Sequence, residues 1–144
     1  MTKVIVLHGP NLNLLGRREP FLYDDVTLVD INEELRRLGR EVGVDVHCRQ
    51  SNHEGQLIDW IQTARSDGFH GLLINPGGLG YTSLILYEAL LAADLAVVEV
   101  HLDNLYERDT DPRYSSTAKA AKGVIMGFGP DSYLLGLRAL SKLL

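Results

Sequence analysis

Two pairs of side chains in the sequence have the types and spacing for proton transfer. In the segment "AVVEVHL" (96–102), Glu99 and His101 are two residues apart, so on a regular strand both side chains lie on the same face. A carboxylate beside an imidazole orients the ring and stabilises its charged form. The same pair could equally be a satisfied structural contact, and the spacing alone leaves both interpretations open.

The second pair is Arg18 and Tyr23, five residues apart in the segment "GRREPFLYDD" (16–25). A guanidinium next to a phenol stabilises the phenolate and lowers the pKa of the phenol, so such a tyrosine can act as a general base. Pro20 limits the conformations of this segment, which is typical of a lid. Alternatively, Arg18 pairs with a neighbouring acidic residue and Tyr23 packs on the surface.

The elements that must position these residues are predicted from apolar runs and helical spacings. Nearly continuous runs rich in Val, Ile and Leu indicate strands buried on both faces of a parallel sheet. The predicted strands are 4–7, 44–48, 71–75, 96–102 and 123–128. The predicted helices are 27–42, 54–66, 82–93 and 131–144. This alternation predicts a single α/β domain over 1–144, a flavodoxin-like doubly wound five-stranded parallel sheet with helices on both faces.

Polar residues follow four of the predicted strands. In such a sheet, ligands bind at the carboxyl ends of the strands, so these residues predict a small-molecule site at one edge. They are Asn11, Asn13, Arg18, Tyr23, Arg49, Asn52, His53, Asn75, Glu99 and His101. The glycine-rich turn "NPGGLGYTS" could cradle an anion with its backbone amides. That signal is weak, because the turn lacks the lysine of a P-loop and does not match G-x-G-x-x-G.

Composition argues against several classes of function. The net charge is −5 and both signs are spread along the chain, which argues against a nucleic-acid surface. Cys48 is the only cysteine, which excludes an intramolecular disulfide and a cysteine-based zinc cluster. His47, Cys48 and His53 lack a further ligand at standard spacing, so no metal site is predicted. The first apolar run is too short for a signal peptide or membrane span, and we expect a cytoplasmic protein without a membrane partner.

Four long segments resemble the type II 3-dehydroquinate dehydratases, in the same order and over about residues 3 to 140. These segments are "LHGPNLNLLGRREPFLYD", "RQSNHEGQLIDWI", "INPGG" and "VVEVHLDN". The resemblance implies elimination of water from 3-dehydroquinate to give 3-dehydroshikimate, without a cofactor, as a step of the shikimate pathway to aromatic amino acids. It also implies a homododecamer built from trimers.

The resemblance implies a role for each member of the proton-transfer set. Tyr23, on a mobile loop, would take a proton next to the ketone, and Arg18 would depress its pKa. Asn11 would help to hold a water that stabilises the enolate. His101 would protonate the leaving hydroxyl, with Glu99 orienting the ring.

The resemblance also implies a substrate-binding set. Asn75 would bind the carboxylate region together with backbone amides near residues 102 and 103. The full set is Asn75, Gly77, Gly78, Tyr81, Glu88, Leu102, Asp103, Arg108 and Arg113.

The sequence departs from the family pattern mainly within the substrate-binding set. The family usually has histidine at Tyr81, aspartate at Glu88, serine at Asp103, arginine at Pro112 and asparagine at His8. Asp103 beside a substrate carboxylate would repel it, and Arg113 could replace the arginine missing at Pro112. The alternative is therefore a diverged lyase that uses the same proton-transfer set on another cyclic carbonyl substrate in specialised metabolism. A non-catalytic scaffold is the third possibility.

Overall fold

The fold is a five-stranded, entirely parallel sheet, seen in a computed structural model that describes residues 1–17, 25–107 and 114–144. The strands are β1 (Thr2–His8), β2 (Val44–Gln50), β3 (Gly71–Asn75), β4 (Ala96–His101) and β5 (Gly123–Met126). Their order is β2-β1-β3-β4-β5, so the chain reverses its winding between β1 and β3. This is the doubly wound, flavodoxin-like order that the sequence predicts, and ligands bind at such a reversal.

The described ranges contain five α-helices. They are α1 (Leu28–Val42), α2 (Glu54–Ala64), α3 (Leu79–Thr82), α4 (Leu84–Ala92) and α5 (Asp131–Lys142). Helix α1 begins at a capping box, in which the Thr27 hydroxyl accepts from the Asp30 N–H at 3.2 Å and the Asp30 carboxylate accepts from the Thr27 N–H at 3.0 Å. None of the helices in the described ranges is long and apolar enough to cross a membrane.

The predicted helix over 82–93 is interrupted at its start. Ser83 has an extended backbone (φ −100°, ψ 97°), so it separates the short α3 from α4. Its hydroxyl accepts from the Leu86 N–H at 2.9 Å and caps α4. The predicted strand over 123–128 is also shorter, because Gly127 has φ 98° and the chain turns there.

Two apolar layers enclose the sheet. Side chains that alternate along the strands pack against α1 and α5 on one face, and the residues between them pack against the α2 and α4 side. Every residue from Val4 to Leu7 is therefore fully buried. This double burial is the reason that the strands are continuous apolar runs, and it leaves the polar chemistry to the strand ends.

Candidate active site

The carboxyl ends of the strands meet at one edge of the sheet. The register places His8 of β1 beside Gln50 of β2 and also beside Asn75 of β3. One residue further back, Ile74 of β3 lies beside Glu99 of β4. Of the polar residues that the sequence assigned to separate strand ends, Asn75 and Glu99 therefore lie on neighbouring strands at this edge.

Glu99 and His101 form a buried, hydrogen-bonded pair. Glu99 is fully buried and His101 is 5% exposed, and His101 Nε2 lies 2.8 Å from Glu99 Oε2. A carboxylate only accepts, so the proton of the neutral ring lies on Nε2, and Nδ1 remains to exchange a second proton. The second carboxylate oxygen, Oε1, accepts from the hydroxyl of Thr117. The spacing correctly placed the two side chains on one face, although it gave no sign of Thr117.

Asn75 lies at the winding reversal with its side chain turned into the structure. It is 3% exposed, and its Oδ1 accepts from the N–H of Gly77 at 3.1 Å. Gly77 has φ 57°, and a Cβ there would lie 3.0 Å from the carbonyl oxygen of Pro10, so this position needs glycine. The turn therefore uses the Gly77 amide internally, and that amide is less available to an anion than the sequence suggested. Gly78 is exposed and precedes α3.

A second buried network of hydrogen bonds contacts the Asn75 side chain. The hydroxyl of Tyr133, on α5, hydrogen-bonds the Asn75 side chain and lies 2.8 Å from His8 Nδ1. His8 Nε2 lies 2.7 Å from Oδ1 of Asn32 on α1. Burial lowers the pKa of His8 from 6.5 to about 4, so the ring is neutral near pH 7. Nε2–H then donates to Asn32 and Nδ1 accepts from the Tyr133 hydroxyl, while burial raises the pKa of Tyr133 and keeps it protonated.

Sequence reasoning missed most of this network. It noted His8 only as a departure from the family pattern, and it missed Asn32 and Tyr133 because both lie within helical patterns. Tyr133 is 125 residues from His8 in the chain. A buried polar group needs a partner, so a histidine ending a buried strand was the available signal.

The loops after β1 and β2 are joined by amide groups. Asn11 has φ 71°, and its backbone N–H donates to Asn52 Oδ1 at 3.0 Å. The Gln50 amide donates to the same oxygen at 3.1 Å and to the carbonyl of Gly9 at 3.2 Å. The backbone of Asn11 is therefore held in place, and its side chain is exposed.

Three further predicted substrate-binding residues border the same edge. Tyr81 is half-buried on α3. Leu102 and Asp103 directly follow His101, with Leu102 buried and Asp103 exposed. The Leu102 carbonyl accepts from the N–H of Gly129 at 2.9 Å, which fixes the backbone just beyond the histidine.

Glu88 is placed differently from the other predicted substrate-binding residues. It is exposed on α4, between Leu84 and Leu91, which are 65% and 56% exposed. Because these residues are spaced along the helix at four and three positions, they share one outer face. Glu88 therefore does not line the edge of its own sheet together with Glu99 and His101.

Four predicted site residues lie outside the described residues. Arg18 and Tyr23 fall within 18–24, and Arg108 and Arg113 fall within 108–113. Their assigned roles stay predictions. Both segments adjoin described parts of the site region, since 18–24 follows the first loop and 108–113 precedes Ser115 and Thr117.

Across the described part of the chain, no group of three or more His, Cys, Asp or Glu side chains could hold a metal ion. His47 instead bonds Asp45, with 2.9 Å between Nε2 and Oδ2. Burial raises the pKa of the Cys48 thiol to about 11, so it is a poor ligand at neutral pH.

Comparison with known proteins shows the family. The model of the family described as "Dehydroquinase class II" matches residues 2–141. The chain belongs to this family. It is 50% identical over 138 residues to a 3-dehydroquinate dehydratase of Geotalea daltonii, covering 96% of this chain and 95% of the relative. It is 48% identical over 141 residues to one of Thermus thermophilus, covering 98% and 95%.

A solved structure of the family has the same fold. The type II dehydroquinase of Butyrivibrio crossotus superposes with a TM-score of 0.91 at 34% identity, covering 96% of this chain and 97% of that one. The resemblance and the fold class predicted from the sequence are thereby confirmed.

Proposed function

We propose that this class II dehydroquinase eliminates water from 3-dehydroquinate to give 3-dehydroshikimate. The observation that carries the proposal is the buried Glu99–His101 pair at the carboxyl edge of the sheet, with 2.8 Å between the carboxylate and the ring. The two relatives named 3-dehydroquinate dehydratase, each matching at least 96% of this chain, support the same substrate. A cytoplasmic biosynthetic enzyme is part of this proposal.

The first step forms an enolate. The phenolate of Tyr23, stabilised by the charge of Arg18, takes a proton from the carbon next to the ketone. The electron pair of that C–H bond moves to the ketone oxygen. Because the developing charge is centred on oxygen, hydrogen-bond donors can stabilise it, and a water held by Asn11 serves as such a donor. The fixed backbone of Asn11 supports this assignment.

The second step expels the hydroxyl group on the carbon next to the enolate. His101, charged with protons on both nitrogens, donates the Nδ1 proton to the leaving oxygen as the C–O bond breaks. The enolate electrons return to form the conjugated C=C bond, and water leaves. The ring then returns to the neutral form with its proton on Nε2, which is the form that the Glu99 carboxylate holds. Proton exchange with solvent restores the tyrosinate and the charged histidine.

Substrate recognition is assigned to groups around this pair. Asn75 and the backbone amides of Leu102 and Asp103 bind the substrate carboxylate. Asn75 is suited to this because its Oδ1 is already occupied by the Gly77 N–H, which leaves as the donor the NH₂ hydrogen that is not directed at the Tyr133 oxygen. Arg108 and Arg113 contribute positive charge to the same end of the substrate.

We also propose that copies of this chain assemble through α4, as in a dodecamer built from trimers. The outer face of this helix exposes Leu84, Ile85 and Leu91 at 65%, 52% and 56%. The opposite face of α4 is already buried in the core, so the helix is apolar on both sides. Apolar side chains grouped on an exposed face favour a protein contact. Glu88, in the middle of this face, would then reach the site of a neighbouring copy.

The second candidate is a lyase for a different cyclic carbonyl substrate. The observation that favours it is the carboxylate of Asp103, exposed two residues beyond His101. A negative charge near the substrate carboxylate disfavours 3-dehydroquinate and favours a ligand without that group. Under this alternative, Tyr23 and His101 keep their roles.

The test is to mix the protein with 3-dehydroquinate in the presence of EDTA and follow the ultraviolet absorption of the conjugated enone. We expect turnover, and we expect Tyr23→Phe to abolish it by removing the base. Tyr87→Phe is the matched control, since it removes the hydroxyl of a half-buried tyrosine on α4. No turnover by a folded wild-type protein would contradict the proposal and favour the second candidate.

A further inference from the structure

Thr117 contacts Glu99, the carboxylate of the candidate catalytic pair. It begins a 3₁₀ turn (Thr117–Ala120) that leads into β5, and it is fully buried. Its hydroxyl donates to Glu99 Oε1, while the other carboxylate oxygen is bonded to His101. A second hydroxyl, that of Ser115, lies 2.9 Å from Thr117 Oγ1. These contacts form one chain of hydrogen bonds, in the order Ser115, Thr117, Glu99 and His101.

The direction of this chain follows from donor and acceptor chemistry. An ionised carboxylate has no proton to give, so the single hydroxyl proton of Thr117 points at Glu99. Thr117 can then only accept from Ser115, whose hydroxyl donates. Each oxygen of the Glu99 carboxylate therefore has its own donor, and rotation of the carboxylate would break a hydrogen bond inside a buried site.

Helix α3 holds the segment that carries these hydroxyls. The N–H of Ser116 donates to the carbonyl of Gly80 at 2.6 Å. A Cβ at Gly80 would lie 3.0 Å from Ser115 Oγ and 3.1 Å from Pro76 Cγ, so the segment packs directly on the glycine backbone. The segment that carries the Thr117 hydroxyl is therefore held against α3 by a backbone hydrogen bond and by close packing.

We propose that Thr117, with Ser115 behind it, is a positioning residue that fixes the Glu99 carboxylate and so the tautomer and direction of the His101 ring. The inference rests on the proposed function in that His101 is the proton donor. Without the Thr117 hydroxyl, Glu99 Oε1 is a buried acceptor without this donor. Oε1 can then recover a donor in two ways: the carboxylate turns toward another donor, or its two oxygens share the His101 N–H. Either change displaces the ring.

The kinetic test compares Thr117→Val, which keeps the shape, with Thr117→Ser, which keeps the hydroxyl. We expect the valine variant to lower kcat about 10- to 100-fold, the range for small misplacement of a reacting group, with KM changed less than about twofold. The serine variant should recover most of kcat. Thr63→Val is the matched control, because this exposed hydroxyl hydrogen-bonds carbonyls of its own helix, α2, and lies outside the proposed site.

A second variant tests the same hydrogen bonds in case Thr117→Val does not fold. Ser115→Ala removes the donor to Thr117 from a half-buried position, and we expect a several-fold fall in kcat. An unchanged kcat in folded Thr117→Val, or a loss that serine fails to restore, would overturn the inference. An unchanged kcat in Ser115→Ala would show that the Ser115 hydroxyl does not contribute to positioning Glu99.

A spectroscopic readout separates this inference from the proposed function. In ¹⁵N-labelled protein, measured at a pH at which the His101 ring is neutral, its nitrogens should report a proton on Nε2 in the wild type and a mixture of tautomers in Thr117→Val. This measurement needs no turnover, so it judges the positioning role even if 3-dehydroquinate is not the substrate. Identical His101 spectra in the two proteins would overturn the inference, whereas an inactive wild type with the expected spectra would contradict only the proposed function.

Discussion

The buried histidine at the end of β1 makes the stability of the protein depend on pH in a predictable window. Burial lowers the pKa of His8 to about 4, against 6.5 for an ordinary histidine in the unfolded chain. Between these values the unfolded chain binds a proton on this ring and the folded protein does not. Acid therefore favours unfolding, and the stability present above pH 6.5 is lost as the pH falls toward 4.

The size of the effect follows from the width of that window. Each pH unit over which one proton binds only to the unfolded chain changes the free energy of unfolding by about 1.4 kcal/mol. Across the whole window, His8 should account for roughly 3 kcal/mol of lost stability, a large share of the 5–15 kcal/mol that is typical of a domain. The ring is fully buried, so solvent screening does not reduce this figure.

The assay is urea unfolding at several pH values between 7 and 4.5, at one protein concentration, for wild type, His8→Asn and His53→Asn. Asparagine is too short to bridge Asn32 and Tyr133, so His8→Asn should be less stable at pH 7 by about 1–3 kcal/mol. Its loss of stability toward acid should nevertheless be shallower than that of the wild type, by up to about 1.4 kcal/mol per pH unit.

His53→Asn is the control, because it also removes a histidine, but one with an exposed side chain. Its pH dependence should follow the wild type. Carboxyl groups titrate in all three proteins, so only the differences between the curves are interpreted. Parallel curves for wild type and His8→Asn would refute the argument that His8 is buried as a neutral ring.

Three further changes test the surroundings of the site. Tyr133→Phe removes one buried partner from His8, which keeps Asn32, and one from Asn75, which keeps the Gly77 N–H. Urea unfolding should therefore show a loss of about 1–3 kcal/mol, and kinetics should show a raised KM. Asp103→Ser removes a negative charge that the proposed binding mode places near the substrate carboxylate, so it should lower KM for 3-dehydroquinate by about 3- to 10-fold; an unchanged KM would place the charge away from the ligand. Leu91→Asp should shift sedimentation toward smaller species, and an unaltered oligomer would exclude the outer face of α4 from the contact.

The fold was predictable because burial on both faces makes each central strand an unbroken apolar run. The residues from Val4 to Leu7 show this directly, since all are fully buried against helices on two sides. The break between α3 and α4 was not predicted, because Leu84, Ile85 and Leu86 continue the helical pattern of the apolar residues. The start of α4 is marked by the hydroxyl of Ser83, which caps the helix. Because serine also occurs inside helices, its presence in the sequence did not identify a cap.

Contacts within the candidate site were predictable where they depend on local spacing. Glu99 and His101 were found because alternate residues of a strand share a face. Thr117 and Tyr133 were missed because their contacts join elements 18 and 125 residues apart in the chain. No local pattern distinguishes a buried threonine that donates to a carboxylate from one that merely packs. These partners could therefore be identified only from the three-dimensional structure.

The most direct test of the central claim is hydrogen exchange at the carbon next to the ketone of 3-dehydroquinate in deuterated solvent. His101→Asn should exchange this hydrogen faster than the uncatalysed rate while forming no enone, because the base remains and the acid is gone. Tyr23→Phe should show neither exchange nor product. Exchange by the tyrosine variant, or its loss together with product in the histidine variant, would contradict an enolate formed by Tyr23 and resolved by His101.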